Sequence, residues 1–340
     1  MKVDGGIGPT LSTDLASFAR QAAALQEAGY DGIWTAETNH DPLFPLLLAA
    51  GSTSGVDLGT AVTVAFARSP MTLAASANDL QAYSGGRFVL GLGSQIKPHI
   101  EKRFSMPWSH PAARMRELIL AMRAIWDCWN EGTKLDFRGD FYQHTLMTPF
   151  FNPGPNPHGN AKVFLAGVGK RMTEVAGEVC DGFLCHGFTT ESYLREVTVP
   201  ALERGLATSG RTRTDLQISI PAFVVTGSNE AEMEASARGT REQIAFYGST
   251  PAYLGVLEHH GWGGIQEELN LLSKQGRWKE MGSLIDDDML AAFAVVAEPD
   301  SLAAALRSRY DGVIDRLSFY APYKADPAQF ARVMEDLHAT

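Results

Sequence analysis

The chain has 340 residues, a length that suits one large α/β domain or two ordinary ones. Apolar residues make up 45% of it and the formal net charge is −10, which argues against global disorder and against a nucleic-acid partner. Its three cysteines, Cys128, Cys180 and Cys185, have no CxxC spacing and predict neither a disulfide framework nor a zinc site.

The start of the sequence, MKVDGGIGPT, lacks the apolar core of a secretory signal. No window approaches the roughly 20 apolar residues of a membrane-spanning helix. We therefore expect a reduced, cytoplasmic protein without a membrane partner.

Short apolar strands alternate with helical patterns along the first part of the chain. The predicted elements are, in order, a strand at 2–7, a helix at 13–28 with Ser12 or Thr13 as its N-cap, a helix stop at Gly29 followed by a strand that ends at 36, a helix at 42–54, a strand at 56–65, a helix at 70–83, a strand at 85–93 and a helix at 111–130. The strands are mostly apolar, as expected when both faces of a parallel sheet are covered.

The alternation breaks at 132–160, where a hairpin turning at Arg138-Gly139-Asp140 and a loop rich in Pro, Gly and Asn are predicted. It then resumes with a strand at 161–167, a helix at 170–179, a strand at 180–185, a helix at 190–208, a strand at 216–226, a helix at 230–246, extra helices between 250 and 290, a strand at 313–322 and a helix at 327–338.

Eight strand–helix units predict a (β/α)8 TIM barrel of the α/β class. We expect a single domain over 1–340, with insertions at about 131–160 and 248–290, after the fourth and seventh strands. A doubly wound open sheet is the alternative, which the absence of GxGxxG after the first strand disfavours.

The active site of such a barrel lies at the carboxyl ends of its strands. Here these ends are rich in glycine or polar residues, a composition that lets a flat ligand approach the backbone. They are Gly5-Gly6, Glu37–Asp41, Ala61–Arg68, Gly93–Lys97, Ala166–Lys170, Cys185–Phe188, Ala222–Val225 and Ser318–Pro322.

Four segments give the chain a specific resemblance. They are LGTAVTVAFARSPMTLA, GGRFVLGLGSQIKPHIEKRF, VFLAGVGKRMTEVAGEVCDGFLC and VIDRLSFYAP. In order and spacing they resemble the bacterial luciferase-like superfamily, and within it most closely the oxidoreductases that use the deazaflavin coenzyme F420. The resemblance covers nearly the whole chain, and it implies a barrel with the flavin ring in its mouth and a homodimer.

The resemblance also implies contacts with the cofactor. A bulge with a non-prolyl cis peptide behind the ring is expected at Ala61-Val62, and Gly93-Ser94-Gln95 is expected to line the ring and the ribityl chain. Gly167-Val168-Gly169-Lys170 opens a helix, whose free N–H groups and dipole suit a phosphate. Cys185-His186 is expected to contact the cofactor, with Cys185 acting through its backbone. The alternatives are ordinary strand-end turns, solvated cations and inert packing.

The second strand ends where alcohol and sugar-phosphate dehydrogenases of the family carry a Ser-Asp-His-like triplet. The aligned residues are Ala36-Glu37-Thr38, so Thr38 takes the place of the histidine and becomes a predicted cofactor contact. Glu37 is expected to bond the deazaflavin or to orient a base, and His40 to exchange a proton, since histidine titrates near neutral pH. The alternatives are a carboxylate at a helix start and a loop histidine.

The sequence says less about the substrate than about the cofactor. The apolar segment LAAFAVVAEPD lacks the cations that hold a sugar phosphate, so this substrate is not expected. The loop after the fourth strand contains His99, Arg103 and Trp108, which line either the substrate pocket or a solvated helix face. A later segment, AFYGSTPAYLGVLEHHGWGG, forms either a lid or a packing surface. His259-His260 predicts no metal, because neighbouring side chains on a helix point about 100° apart.

The sequence therefore predicts an F420-dependent oxidoreductase. Its reaction would move a hydride between C5 of the deazaflavin and an activated C=C, C=N or C=O bond of a small organic substrate. An FMN-dependent luciferase-like monooxygenase is the alternative, and a flavin-binding barrel without catalysis is a third hypothesis.

Overall fold

The computed structural model describes residues 1–8, 17–325 and 327–339. Within these residues the strands, in chain order, are β1 (Lys2–Gly6), β2 (Gly32–Thr35), β3 (Asp57–Thr60), β4 (Thr63–Val64), β5 (Phe88–Gly93), β6 (Phe137–Arg138), β7 (Gln143–His144), β8 (Lys162–Ala166), β9 (Gly182–Leu184), β10 (Gln217–Val225), β11 (Ala294–Val296) and β12 (Arg316–Tyr320).

Helices follow most of these strands. They are α1 (Ser17–Glu27), α2 (Leu43–Ser52), α3 (Pro70–Tyr83), α4 (Pro111–Glu131), α5 (Lys170–Val179), α6 (Glu191–Tyr193), α7 (Val199–Thr208), α8 (Glu230–Gly248), α9 (Leu254–His259), α10 (Gln266–Lys274), α11 (Trp278–Gly282), α12 (Asp287–Phe293), α13 (Pro299–Tyr310) and α14 (Pro327–His338). No helix in the described ranges is long and apolar enough to cross a membrane.

The chain divides into two compact units. The N-terminal unit comprises Asp4–Leu184 and Ala201–Gln217, and the C-terminal unit comprises Met1–Val3, Cys185–Pro200 and Ile218–Thr340. Each unit has its own strands and its own core. That the whole chain forms one domain, with insertions at 131–160 and 248–290, stays a prediction.

Parallel strands form the centre of the N-terminal unit. Their order is β1, β2, β3, β5, β8, β9, and β4 pairs with β5. All six residues of β5 are buried, which explains its nearly continuous apolar sequence. The helix α3 begins where Pro70 occupies the first turn and the Ser69 hydroxyl accepts a hydrogen bond from the Thr72 N–H at 3.2 Å.

The C-terminal unit contains three parallel strands in the order β11, β10, β12. Helices α8 to α12 pack apolar side chains against β10 and β11. The core includes Phe223, Val225, Ile244, Leu257, Leu269, Met289 and Phe293. The helices predicted between 250 and 290 therefore pack against a buried apolar core in this unit.

The order of strands and helices is that of a (β/α)8 TIM barrel, so the predicted fold class is confirmed. The hairpin predicted at Arg138-Gly139-Asp140 is also present, because β6 and β7 pair in antiparallel fashion. The predicted N-cap at Ser12 or Thr13 lies outside the described residues.

The structure differs in detail from the predicted elements. The strand predicted at 56–65 is divided into β3 and β4 around Ala61-Val62, and the helix predicted at 190–208 contains a π-helical turn at Leu194–Thr198. Pro200 has no N–H to donate within that helix, which favours the change in hydrogen bonding just before it. The short strand β11 and the helix α13 were not predicted.

Candidate functional site

A buried carboxylate follows the end of β2. The side chain of Glu37 is only 7% exposed, and its Oε2 accepts hydrogen bonds from the Val64 N–H at 2.8 Å and from Arg68 Nη1 at 2.6 Å. The Glu37 N–H donates to the Val62 carbonyl at 3.1 Å. The backbone that follows β3 and the side chain of Arg68 thus fix the carboxylate from two directions.

Arg68 also reaches a second carboxylate. Its Nη2 lies 2.7 Å from Asp41 Oδ2, and Asp41 Oδ1 accepts the Leu43 N–H at 2.9 Å at the start of α2. Burial lowers the pKa of Arg68, but its hydrogen bonds and charge attraction to Glu37 and Asp41 raise it further, so it lies above the ordinary value. We call Glu37, Asp41 and Arg68 the ionic region.

The residues between the two carboxylates form an accessible loop. Thr38 is exposed, its hydroxyl donates to Asn39 Oδ1 at 3.0 Å, and its carbonyl accepts from Arg103 Nη2 at 2.6 Å. His40 is half-buried, and among the described residues its ring makes no hydrogen bond. The structure therefore brings Glu37, Thr38 and His40 together on one loop and leaves the His40 ring nitrogens available to a ligand or to water.

The peptide bond between Ala61 and Val62 is cis, as the resemblance implied. Ala61 is exposed and Val62 is half-buried at the end of β3. Val62 packs so closely on Gly93, the last residue of β5, that a Cβ at Gly93 would lie 2.6 Å from Val62 Cγ2. This close approach requires glycine at position 93. The two strand ends therefore present the apolar side chain of Val62 next to backbone that carries no side chain.

Two further segments predicted to contact a cofactor follow strand ends in the same unit. Ser94 and Gln95 are half-buried after β5, and Gln95 has a φ of 60°. Gly169 precedes α5 and no side chain caps that helix, while Val168, Gly169 and Lys170 are exposed. The first N–H groups of α5 are therefore accessible to an anion, which the positive end of the helix dipole favours.

In the C-terminal unit, Cys185 and His186 follow β9. The Cys185 side chain is buried and the Cys185 N–H donates to the Ser219 carbonyl at 2.8 Å. His186 Nδ1 accepts the Phe188 N–H at 3.0 Å, and its Nε2 lies 3.1 Å from the Tyr253 hydroxyl. Burial lowers the pKa of His186 to about 4, so this imidazole is neutral at physiological pH.

Aromatic side chains surround His186. Its ring stacks on Tyr253 at 4.5 Å, and Tyr247 approaches edge-on at 4.6 Å. The hydroxyl groups of Tyr247 and Tyr320 lie 2.7 Å apart, and Tyr320 stacks on Phe223 at 4.6 Å. We call His186, Phe223, Tyr247, Tyr253 and Tyr320 the aromatic region.

Other residues considered in the sequence have local structural partners. Arg103 binds the Thr38 carbonyl, and Trp108 packs edge-on against Phe66 at 5.6 Å, whereas His99 is exposed. His259 Nε2 and His260 Nε2 each lie 2.7 Å from a hydroxyl, of Ser192 and Thr190 respectively. In the part of the chain that the structure describes, no group of three or more His, Cys, Asp or Glu side chains is placed to hold a metal ion.

Arg68 and the tyrosines of the aromatic region were not predicted as individual site residues. Arg68 is the last residue of the strand end Ala61–Arg68. Its carboxylate partners, Asp41 and Glu37, lie 27 and 31 positions earlier in the chain, and no local sequence pattern pairs them with it. Tyr247 and Tyr253 stood in the segment predicted to be a lid or a packing surface. His186 was itself predicted to contact the cofactor, and Phe223 and Tyr320 lie in two of the quoted strand ends, but no local pattern showed that these rings meet.

Comparison with known proteins identifies the family. The model of the luciferase-like monooxygenase family matches residues 2–316, so the chain belongs to that family. It is 57% identical over 317 residues to an uncharacterized protein of Mycobacterium tuberculosis, covering 93% of this chain and 92% of that protein.

Two further comparisons concern reductases. A 5,10-methylenetetrahydromethanopterin reductase of Archaeoglobus fulgidus is 27% identical over 286 residues, covering 82% of this chain and 81% of that protein. The solved structure of the coenzyme F420-dependent tetrahydromethanopterin reductase of Methanopyrus kandleri matches with a TM-score of 0.78 at 19% identity, covering 99% of this chain and 96% of that one. This likeness over almost the whole chain shows a shared fold.

Proposed function

We propose that the protein is an F420-dependent oxidoreductase that acts on a small organic substrate. The bound deazaflavin would supply a hydride-transferring carbon, C5, that exchanges hydride with an activated C=C, C=N or C=O bond or with an alcohol. The observation that carries the proposal is the close packing of the Val62 side chain on Gly93, which leaves an apolar surface beside exposed backbone at the strand ends where the family places the ring. The structurally similar reductase of Methanopyrus kandleri is coenzyme F420-dependent, which supports the choice of F420 over FMN.

The residues present fit such a group. Ala61 and Val62 offer an apolar surface to a planar ring, and no side chain stands on Gly93 beside them. At α5, a Cβ on Gly169 would meet nothing within 4 Å, so this helix start has room for a phosphate. Gly167, Val168 and Lys170 would complete the phosphate contact.

The remaining cofactor contacts would come from side chains and backbone at other strand ends. Thr38, Ser94 and Gln95 would hold polar groups of the ring or the ribityl chain. Cys185, through its backbone, and His186, as a neutral imidazole, are the further proposed cofactor contacts.

Glu37 and His40 would supply the hydrogen bond and the proton transfer that the reaction needs. Glu37 is held in place by Val64 and Arg68, which suits a hydrogen-bond acceptor or an orienting group better than a mobile base. The His40 ring is half-buried and makes no hydrogen bond among the described residues, which suits proton exchange with a substrate.

We also propose a cytoplasmic homodimer. Phe44, Leu47 and Leu48 lie exposed on α2, and Tyr83 at the end of α3 is exposed as well. Exposed apolar residues grouped on one helix favour contact with a second copy of the chain.

An FMN-dependent monooxygenase is the second candidate, because the family is described as luciferase-like monooxygenases. Reduced flavin reacts with oxygen, whereas deazaflavin does not readily do so, and oxygen dependence therefore separates the two functions. Both candidates need the same strand-end contacts.

Turnover of reduced F420 under nitrogen tests the proposed function. The substrate panel would contain cyclic enones, imines, ketones and, for the reverse direction, oxidised F420 with secondary alcohols. We expect enzyme-dependent oxidation of reduced F420 without oxygen, and a loss of about tenfold or more in kcat for His40→Ala but not for His99→Ala, which changes an exposed histidine. Enzyme-dependent transfer of one oxygen atom from O2 to a substrate, with reduced FMN oxidised and the second oxygen released as water, and no turnover of F420, would establish the monooxygenase instead.

A further inference from the structure

Arg68 joins three segments of the N-terminal unit. Its Nη1 binds Glu37 Oε2 at 2.6 Å and the Val64 carbonyl at 3.1 Å, and its Nη2 binds Asp41 Oδ2 at 2.7 Å. The side chain is 19% exposed. The guanidinium fork thereby connects the loop after β2, the short strand β4 and the start of α2.

The two oxygens of the Glu37 carboxylate have different environments. Oε2 accepts two hydrogen bonds, whereas within residues 1–8, 17–325 and 327–339 no hydrogen bond reaches Oε1. The side chain is only 7% exposed, but Oε1 is not among the fully buried polar atoms that lack a partner, so a small part of it stays open to solvent. An N–H or O–H group of a bound molecule can therefore reach Oε1 and donate a hydrogen bond to it.

The loop of the candidate site is held from both sides. Arg68 holds its two ends through Glu37 and Asp41, and Arg103 holds its middle through the Thr38 carbonyl at 2.6 Å. Lysine in place of Arg68 would carry the same charge, but a single ammonium group lacks the planar fork that binds two carboxylates at once.

We propose that Arg68 is a positioning residue for ligand binding. It fixes Glu37 so that Oε1 accepts a hydrogen bond from an N–H or O–H group of a flavin-type ring, and it fixes Thr38 and His40 through Asp41. The identity of the ligand rests on the proposed function. The fixed loop does not rest on it, because the contacts of Arg68 are made by the chain alone.

The test compares Arg68→Met and Arg68→Lys with Arg116→Met. Arg116 is a matched control, since it also joins two elements of the same unit through a carboxylate, with Arg116 Nε and Nη2 within 2.9 Å of Glu178. Hydrogen exchange is measured without ligand for the amides of Glu37, Leu43 and Val64, each of which donates a hydrogen bond in or next to the loop. Dissociation constants are measured for F420 and for FMN.

We expect Arg68→Met to speed exchange of these amides and to weaken F420 binding, each by about tenfold or more, because a hydrogen bond to a charged group is lost and a loop is freed. Arg68→Lys should fall between Arg68→Met and the wild type. Arg116→Met should change neither quantity by more than about twofold. The double variant Glu37→Gln/Arg68→Met should bind no more weakly than Arg68→Met, since Arg68 acts through Glu37.

F420 binding by Arg68→Met within twofold of the wild type would overturn the proposal, even if the loop exchanged faster. If Arg68→Met does not fold, wild-type affinity in Arg68→Lys would overturn it. If the wild type binds neither F420 nor FMN, the proposed function and the ligand role of Glu37 both fail. Unchanged loop exchange in the Arg68 variants would overturn the positioning role as well.

Discussion

The ionic region and the aromatic region both follow the carboxyl ends of parallel strands, but different forces hold them. In the ionic region, a guanidinium joins two carboxylates and fixes them by charge-assisted hydrogen bonds. In the aromatic region, stacked rings surround a histidine that burial keeps neutral. One region thus offers a fixed carboxylate acceptor beside a histidine ring that makes no hydrogen bond among the described residues, while the other offers phenol groups and apolar ring faces.

The largest effect on stability is expected from Arg68→Met. This change leaves Glu37 and Asp41 without their cation, and an uncompensated, largely buried carboxylate costs about 3 kcal/mol of unfolding free energy. Urea unfolding measures the difference. Glu37→Gln in the same chain should recover part of the loss, because it removes the buried charge.

Arg204→Met is the control for this effect. Arg204 Nε pairs with Glu174 at 2.9 Å on the surface, and both side chains are substantially exposed. We expect a change below about 1 kcal/mol. Equal losses in the two variants would show that the ionic region is held no more strongly than an ordinary surface pair.

The aromatic region should instead respond to pH. The native pKa of His186 is about 4 because of burial, against an ordinary value of 6.5. The unfolded chain therefore takes up a proton near pH 6.5 while the native chain resists until about pH 4, so this stabilising contribution is complete above pH 6.5 and is lost as the pH falls. The loss amounts to about 2–3 kcal/mol by pH 4.

His186→Gln removes this titration. The fall in unfolding free energy between pH 6.5 and pH 4 should be smaller in His186→Gln than in the wild type, whereas His99→Gln, at an exposed position, should follow the wild type. Urea unfolding at a series of pH values gives both curves. Parallel curves for His186→Gln and the wild type would mean that the native imidazole is not kept neutral.

A smaller effect is expected from the phenol pair. Tyr247→Phe removes the 2.7 Å hydrogen bond to the Tyr320 hydroxyl and should lower the unfolding free energy by about 1 kcal/mol. Tyr83→Phe, at a side chain that is 59% exposed, should leave it unchanged. A loss in Tyr247→Phe no greater than in Tyr83→Phe would show that water replaces the bond at no cost.

Much of the fold could be predicted where local chemistry decides it. The bounds of α3 and α5 agree with the prediction because Pro70 and Gly169 mark helix starts in the sequence. The strand β11 was missed because three apolar residues directly after a helix carry no period of their own. The helix α13 did carry a signal that was overlooked, with Pro299 in its first turn and buried residues at Leu302 and Leu306.

The candidate site was predictable only in part. Its loops follow from the rule that barrel sites lie at strand ends, and the resemblance supplied the position of the cis peptide. The partners of Glu37 could not be read from the sequence, since Val64 and Arg68 meet it only when neighbouring strands are assembled. The same holds for Tyr247 and Tyr320, which are 73 positions apart.

The central claim is that this chain binds a deazaflavin at its strand ends. The most direct test is a side-by-side titration of the purified protein with F420 and with FMN, followed by quenching of tryptophan fluorescence, in the wild type and in Gly93→Val. We predict micromolar or tighter binding of F420, weaker binding of FMN, and loss of F420 binding in Gly93→Val, where a side chain would collide with Val62. Tighter binding of FMN, or wild-type affinity for F420 in Gly93→Val, would contradict the account.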